Sequence, residues 1–252
     1  MSPLNILVRR SNYRRGLKST ARILKGYCCQ FNCPTREKSM QMPGPHASMP
    51  VVYAGHDLKG AHCAIILLHG RGSTAEDILG LAKRFYDERI AFIAPQAANN
   101  TWYPNCFLGL IERNEPWLSS AIERVESLTQ TWVNAGIQRS SVAICGFSQG
   151  ACLATESIAR HPAHYGALIA FTGGLVGPSD RDLQHGGSLA GTRALFSSGD
   201  PDPHVPWSRV EASAHELERM GAQVELLRHP GRPHTIVNNE LAVAHSLIVS
   251  LL

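Results

Sequence analysis

No stretch of this 252-residue chain approaches the roughly 20 apolar residues that a membrane-spanning helix needs. Charge is sparse as well. Asp, Glu, Lys and Arg together make up 17% of the residues against 44% apolar ones, a balance that favours a packed body over a disordered chain. Acid is absent from residues 1–36, which hold eight Lys and Arg (Arg9, Arg10, Arg14, Arg15, Lys18, Arg22, Lys25 and Arg36). Removing those eight from 24 basic residues leaves 16 against 20 acidic ones, so the formal charge of +4 becomes −4 over the remainder. The basic character is therefore local, and the body has no footprint for nucleic acid. An even cysteine set is also missing: seven cysteines stand at 28, 29, 33, 63, 106, 145 and 152. An odd count with two thiols inside apolar runs fits a reduced compartment better than a disulfide framework. Cys28, Cys29 and Cys33 with His46 match no zinc-ligand spacing, so no metal site is expected. No GxxxxGK or GxGxxG pattern occurs either, which argues against a phosphate-cradling loop.

What is present divides into two parts. Residues 1–48 are basic, dotted with Ser, and end in a Pro-Gly-Met stretch. They read as an extension outside the fold, either a transit-like segment or sequence upstream of a start at Met40, Met42 or Met49. The expected location is cytoplasmic, or an organelle if the extension is a transit peptide. Residues 49–252 read as one domain. Apolar runs at 62–70, 90–95, 141–146, 166–174, 193–200 and 223–231 predict six strands. Helical periodicity follows from Ser73, where Ser73 and Glu76 have capping-box spacing, and recurs over 115–136, 149–161, 207–220 and 235–252. Strict alternation predicts an α/β fold, a mostly parallel sheet with helices on both faces and no large lid.

Gly146-Phe147-Ser148-Gln149-Gly150 falls where a strand gives way to a helix. That junction turns a weak G-x-S-x-G pattern into a nucleophile elbow, with two glycines letting strand and helix approach closely. A serine hydroxyl needs a base to take its proton. Among 12 histidines, His234 sits in a Pro/Gly-rich loop between the last strand and the last helix and is preferred to His229, which lies nearer the strand. Asp200 and Asp202, after the fifth strand, are the candidates for the carboxylate that fixes the imidazole, while Asp180 and Asp182 fall in an exposed loop. Two backbone N–H groups must face the developing oxyanion. Gln149, following the nucleophile, and Arg71, between Gly70 and Gly72, offer them. Trp102, Tyr103, Phe107 and Leu108 supply apolar walls suited to an acyl chain.

The segments LLHGRGSTAEDIL, APQAANNTWYPNCFL, GFSQGACLA, TGGLVGP and GDPDPHVP, followed by the His234 loop, resemble successive motifs of the phospholipase/carboxylesterase family of α/β-hydrolases, relatives of the acyl-protein thioesterases. The resemblance covers about residues 51–252. It implies an α/β-hydrolase fold and a catalytic Ser148, Asp202 and His234. It selects Asp202 over Asp200, because the family acid directly precedes Pro in the D-P-x-V-P turn. It supports Arg71 and Gln149 as oxyanion donors and implies no metal or organic cofactor. The chain lacks a longer insert after TWYPNCFL, which brings it closer to the compact bacterial-type branch. The expectation is a serine carboxylesterase for short to medium acyl chains. An acyl thioesterase, a lysophospholipase and a non-catalytic ligand-binding hydrolase fold are the alternatives. The expected partner is a small-molecule ester or thioester, with no nucleic acid and no membrane span; a homodimer stays open.

Overall fold

A computed structural model describes residues 44–57, 59–179 and 181–252. Residues 1–43, with the basic segment, Cys28, Cys29 and Cys33, lie outside the described residues, as does Asp180.

Seven strands form one sheet in the order β1-β3-β2-β4-β5-β6-β7. They are β1 (Val51–Gly55), β2 (Cys63–Leu68), β3 (Ile90–Pro95), β4 (Val142–Phe147), β5 (Ala167–Phe171), β6 (Arg193–Asp200) and β7 (Gln223–Pro230). All neighbours pair in parallel except β1, which runs antiparallel to β3. Among the described residues there are five α-helices: α1 (Ala75–Leu79), α2 (Trp117–Asn134), α3 (Gln149–Arg160), α4 (Trp207–Arg219) and α5 (Asn238–Val249). The mostly parallel α/β architecture expected from the strand–helix alternation is the one found.

β2 is fully buried along its length, and its side chains alternate between two cores. Ile66 and Leu68 join the layer formed with α2, α3 and α4, where Trp132, Leu153 and Leu217 pack. Ile65 and Leu67 join the layer of α1 and α5, with Ile78 and Leu247. A strand covered on both faces must be apolar at every position, and that is why its sequence shows no polar alternation. The chain leaves β2 toward β3 on one side and later returns as β4 on the other. The carboxyl ends of β2 and β4 therefore flank the topological switch point, where a crevice opens in sheets of this kind.

Three expectations need correction. The sheet has seven strands, because the edge strand β1 was not anticipated: it is short and mostly half-exposed, so it carries no continuous apolar run. The first helix is capped by Thr74 rather than Ser73, with Asp77 rather than Glu76 closing the box. Thr74 Oγ1 accepts from Asp77 N–H at 3.2 Å, while Asp77 Oδ2 accepts from Thr74 N–H at 3.1 Å. That helix is also brief and passes into a 3₁₀ turn at Gly80–Arg84. Finally, the packed body reaches back to Gly44. His46, assigned by sequence to the extension, is fully buried. Its Nε2 donates to Trp102 O at 3.0 Å and its Nδ1 accepts from Ala98 N–H at 3.1 Å.

Candidate active site

Ser148 stands between β4 and α3 with φ 55° and ψ −119°, a conformation costing an L-residue on the order of 1–3 kcal/mol. Close packing enforces it. A Cβ on Gly146 would lie 2.3 Å from the backbone of Gly150, and one on Gly150 would lie 2.1 Å from Leu68 O. Strand β4, helix α3 and the end of β2 thus touch through bare backbone. Ser148 N–H donates to Phe171 O at 2.9 Å, and Ser148 O accepts the first helical bond, from Cys152 N–H at 3.0 Å.

Ser148 Oγ lies 2.9 Å from His234 Nε2, and His234 Nδ1 lies 2.8 Å from Asp202 Oδ2. With Nδ1 protonated toward the carboxylate, Nε2 is left to accept the serine proton. The Asp202 side chain is fully buried. Burial works against its charge, but donors outweigh it: His204 N–H and Val205 N–H reach Oδ1, both at 2.9 Å, beside the His234 ring at Oδ2. The net effect holds the Asp202 carboxyl below the usual carboxylate range. Asp200 is engaged elsewhere, with Arg228 Nε donating to it at 2.7 Å. Asp182 accepts from Ser179 within its own loop. His229 bonds Ser197 Oγ at 2.9 Å rather than the site serine.

Beneath the His234 loop lies a buried polar cluster that the sequence did not suggest. Glu240 is fully buried on α5 and accepts from Arg232, Ser197 and the Val237 N–H. Arg232, itself buried, also donates to Thr172 Oγ1 at 2.7 Å. One carboxylate therefore ties both ends of the loop, residues 232 and 237, to the sheet. Its partners Ser197 and Thr172 lie 43 and 60 positions from Glu240 and Arg232, so the cluster leaves no spacing signal in the sequence.

A pocket of about 560 Å³ opens beside Ser148 and His234. Arg71 and Gln149 both line it. Gln149 is the first residue of α3, so its N–H belongs to the first-turn amides that have no carbonyl behind them. In the turn after β2, Gly72 N–H donates to Asn100 O and Ser73 N–H to Gly70 O, and the Arg71 amide has no backbone acceptor among the described residues. The side chains of both residues clamp the facing loop. Gln149 accepts from Trp102 N–H at 3.0 Å and donates to Tyr103 O at 2.7 Å. Arg71 donates to Thr101 Oγ1, Pro104 O and Asn105 O at 3.0, 2.9 and 2.8 Å.

Tyr103 and Phe107 line the pocket as expected; Trp102 and Leu108 do not. Trp102 is fully buried, its Nε1–H donating to His69 O at 2.8 Å, so the indole braces the loop from behind. Leu108 packs partly buried against the helix-side core. Cys152 reaches the pocket beside the Tyr103 hydroxyl, and burial pushes its thiol up to about 12, which leaves it un-ionised and a poor nucleophile. Phe147 and His204 flank the His234 ring, with centroids 5.0 and 4.8 Å away. His69, also unanticipated, accepts from Ala97 N–H at 3.1 Å and stacks on Trp102. Among the described residues, no group of three or more His, Cys, Asp or Glu could hold a metal, and no helix is long and apolar enough to cross a membrane.

A serine, an imidazole and a carboxylate in hydrogen-bonded succession beyond the strand ends of this sheet define an α/β-hydrolase. Within that class the chain belongs to the phospholipase/carboxylesterase family, whose model matches residues 49–251. It is similar to a solved phospholipase/carboxylesterase from Dyadobacter fermentans DSM 18053, with a TM-score of 0.76 and 40% identity, covering 80% of this chain and 97% of that one. A probable carboxylesterase of Oryza sativa subsp. japonica is 26% identical over 208 residues, 72% of this chain and 85% of that protein. A probable carboxylesterase SOBER1-like protein of Arabidopsis thaliana is 30% identical over 134 residues, 53% of this chain and about half (51%) of that protein.

Proposed function

We propose that the chain is a serine carboxylesterase acting through an acyl-enzyme on esters of short to medium acyl chains. Ser148 Oγ attacks the ester carbonyl while His234 Nε2 takes its proton. Asp202 fixes the imidazole tautomer and stabilises the imidazolium. The Arg71 and Gln149 N–H groups receive the oxyanion. His234 then protonates the departing alcohol, and a water repeats the sequence on the acyl-enzyme. The observation that carries the reading is the unbroken relay, 2.9 Å from hydroxyl to imidazole and 2.8 Å from imidazole to carboxylate, on a strained elbow. The carboxylesterase names of the relatives support the ester as substrate. A thioester would use the same machinery, and kinetics on matched oxygen and thio esters separate the two.

The deciding experiment is a series of p-nitrophenyl esters of graded chain length, with fluorophosphonate labelling in parallel. Ser148→Ala is expected to lower kcat by at least about 10⁴-fold, to abolish labelling and to leave the melting temperature within a few degrees. Retained turnover or labelling in that variant, or a steep preference for long chains, overturns the reading. The basic segment is read as dispensable for this chemistry, and whether the protein is cytoplasmic or organellar follows from that segment's fate. Truncation through residue 43 is expected to preserve turnover. Truncation through residue 48 also removes buried His46 and its bonds to the loop at 98–102, and is expected to reduce it.

A further inference from the structure

The pocket carries one permanent charge. Arg71 lines it, and no Asp or Glu does. Arg71 takes part in none of the ion pairs among the described residues. All three groups it does contact, Thr101 Oγ1, Pro104 O and Asn105 O, are neutral oxygens. They fix the guanidinium in place without cancelling its charge. A guanidinium has five N–H donors, so two remain without a partner among the described residues. An exposed arginine would ordinarily be mobile and hydrated. This one is held by three hydrogen bonds to the 101–105 loop, with its Cζ 5.8 Å from the centre of the Tyr103 ring, and it gives up less freedom when a ligand arrives.

Resting on the esterase reading, we infer that the preferred substrate carries a carboxylate, which the two spare donors of Arg71 bind while Ser148 attacks the ester. The class is the half-ester of a dicarboxylic acid, or an ester whose alcohol bears a carboxylate. A planar monoanion matches a guanidinium fork. A phosphate, with close to two negative charges, finds only one permanent cation in the lining.

The test compares p-nitrophenyl hemisuccinate with p-nitrophenyl butyrate for the acyl side, and 3-(butyryloxy)benzoate with phenyl butyrate for the alcohol side. Wild-type protein is expected to prefer the anionic member of at least one pair by about fivefold or more in kcat/KM, mainly through KM. That preference is expected to fade as ionic strength rises from about 0.02 to about 0.5 M. Arg71→Gln should erase the preference and Arg71→Lys should keep part of it, because lysine retains the charge but not the fork. The ratio of the two esters is the readout, since both variants also loosen the clamp on the 101–105 loop and so slow both esters. No preference in either pair overturns the inference, as does a preference that survives Arg71→Gln or an equal loss on anionic and neutral esters. A phosphate-bearing ester preferred over the carboxylate one overturns the monoanion assignment. Should Arg71→Gln fail to fold, the wild-type preference and its salt dependence decide alone. If none of the esters turns over and no fluorophosphonate label appears, it is the esterase reading that fails.

Discussion

The nucleophile turn and the imidazole loop meet at one hydrogen bond, yet different physics holds each of them. Around Ser148 the restraint is steric: backbone touches backbone at Gly146, Gly150 and Leu68, and no side chain takes part in that contact. Around His234 the restraint is polar. Glu240 and Arg232 staple the loop ends from within the core, and Asp202 holds the ring. A hard-sphere restraint either fits or fails. A polar one can be weakened by degrees, and it depends on charge. Ser148 is thus set rigidly, while His234 is positioned by polar side chains whose hold can be changed by substitution.

The steric side should break abruptly. In Gly150→Ala the new methyl group would meet Leu68 O at 2.1 Å and the carbonyl of His69 at 2.6 Å, and neither backbone atom can yield cheaply. The expected cost is more than about 3 kcal/mol, enough that little folded protein accumulates. Gly80→Ala is the control. A Cβ there meets nothing within 4 Å, and the backbone is right-handed helical, so stability should be unchanged or rise by about 0.4–1 kcal/mol. Thermal or urea melts of the two variants check the pair. Equal stabilities would remove the steric half of the comparison.

The polar side should break by parts. Glu240→Gln leaves the buried Arg232 without its counter-charge and is expected to cost about 3 kcal/mol. Replacing both partners, as Arg232→Met with Glu240→Leu, removes the stranded charge and should recover most of that stability. Turnover should not recover with it, because the side-chain ties that run through Glu240 from residues 232 and 237 to Ser197 would be gone. Urea melts paired with kcat on a p-nitrophenyl ester separate the outcomes. A stable double variant with wild-type kcat would show that the ion pair serves folding and not the placement of His234.

The asymmetry also decided what could be read from sequence. Steric devices leave local signatures: the two glycines around Ser148, the apolar run of each central strand, the Pro/Gly loop holding His234. Asp202 was distinguished from Asp200 only by the family resemblance; in the structure, Arg228 occupies Asp200 and three donors converge on Asp202. Devices assembled from distant residues were not legible. His46 meets Trp102 across 56 positions, and Arg232 meets Thr172 across 60. Trp102 and Leu108 were read as pocket walls because an aromatic, apolar loop beside a site looks alike whichever way its side chains turn. The edge strand β1 escaped because a half-exposed strand of five residues has too few buried positions to stand out.

Acid should separate the two regions again, with a smaller effect. His46 and His69 brace the loops on the nucleophile side, and each ring is committed at both nitrogens. His46 donates to Trp102 O and accepts from Ala98 N–H; His69 donates to Gly70 O and accepts from Ala97 N–H. Protonation would set a second N–H against an amide N–H in a buried place. Burial lowers the affinity of both rings for a proton relative to the unfolded chain. As pH falls below about 6.5, the unfolded state therefore takes up protons first, so stability is full above that value and declines below it. Asp202 acts later. Its carboxyl is held low in the folded protein, so its contribution is complete above about pH 4 and is lost only as pH falls further. Unfolding free energies measured from pH 8 downward should show a first decline, absent in a variant with both His46→Gln and His69→Gln, and a second, acid decline, absent in Asp202→Asn. A single decline that neither substitution moves would place the acid sensitivity outside both regions, and would leave their difference one of packing alone.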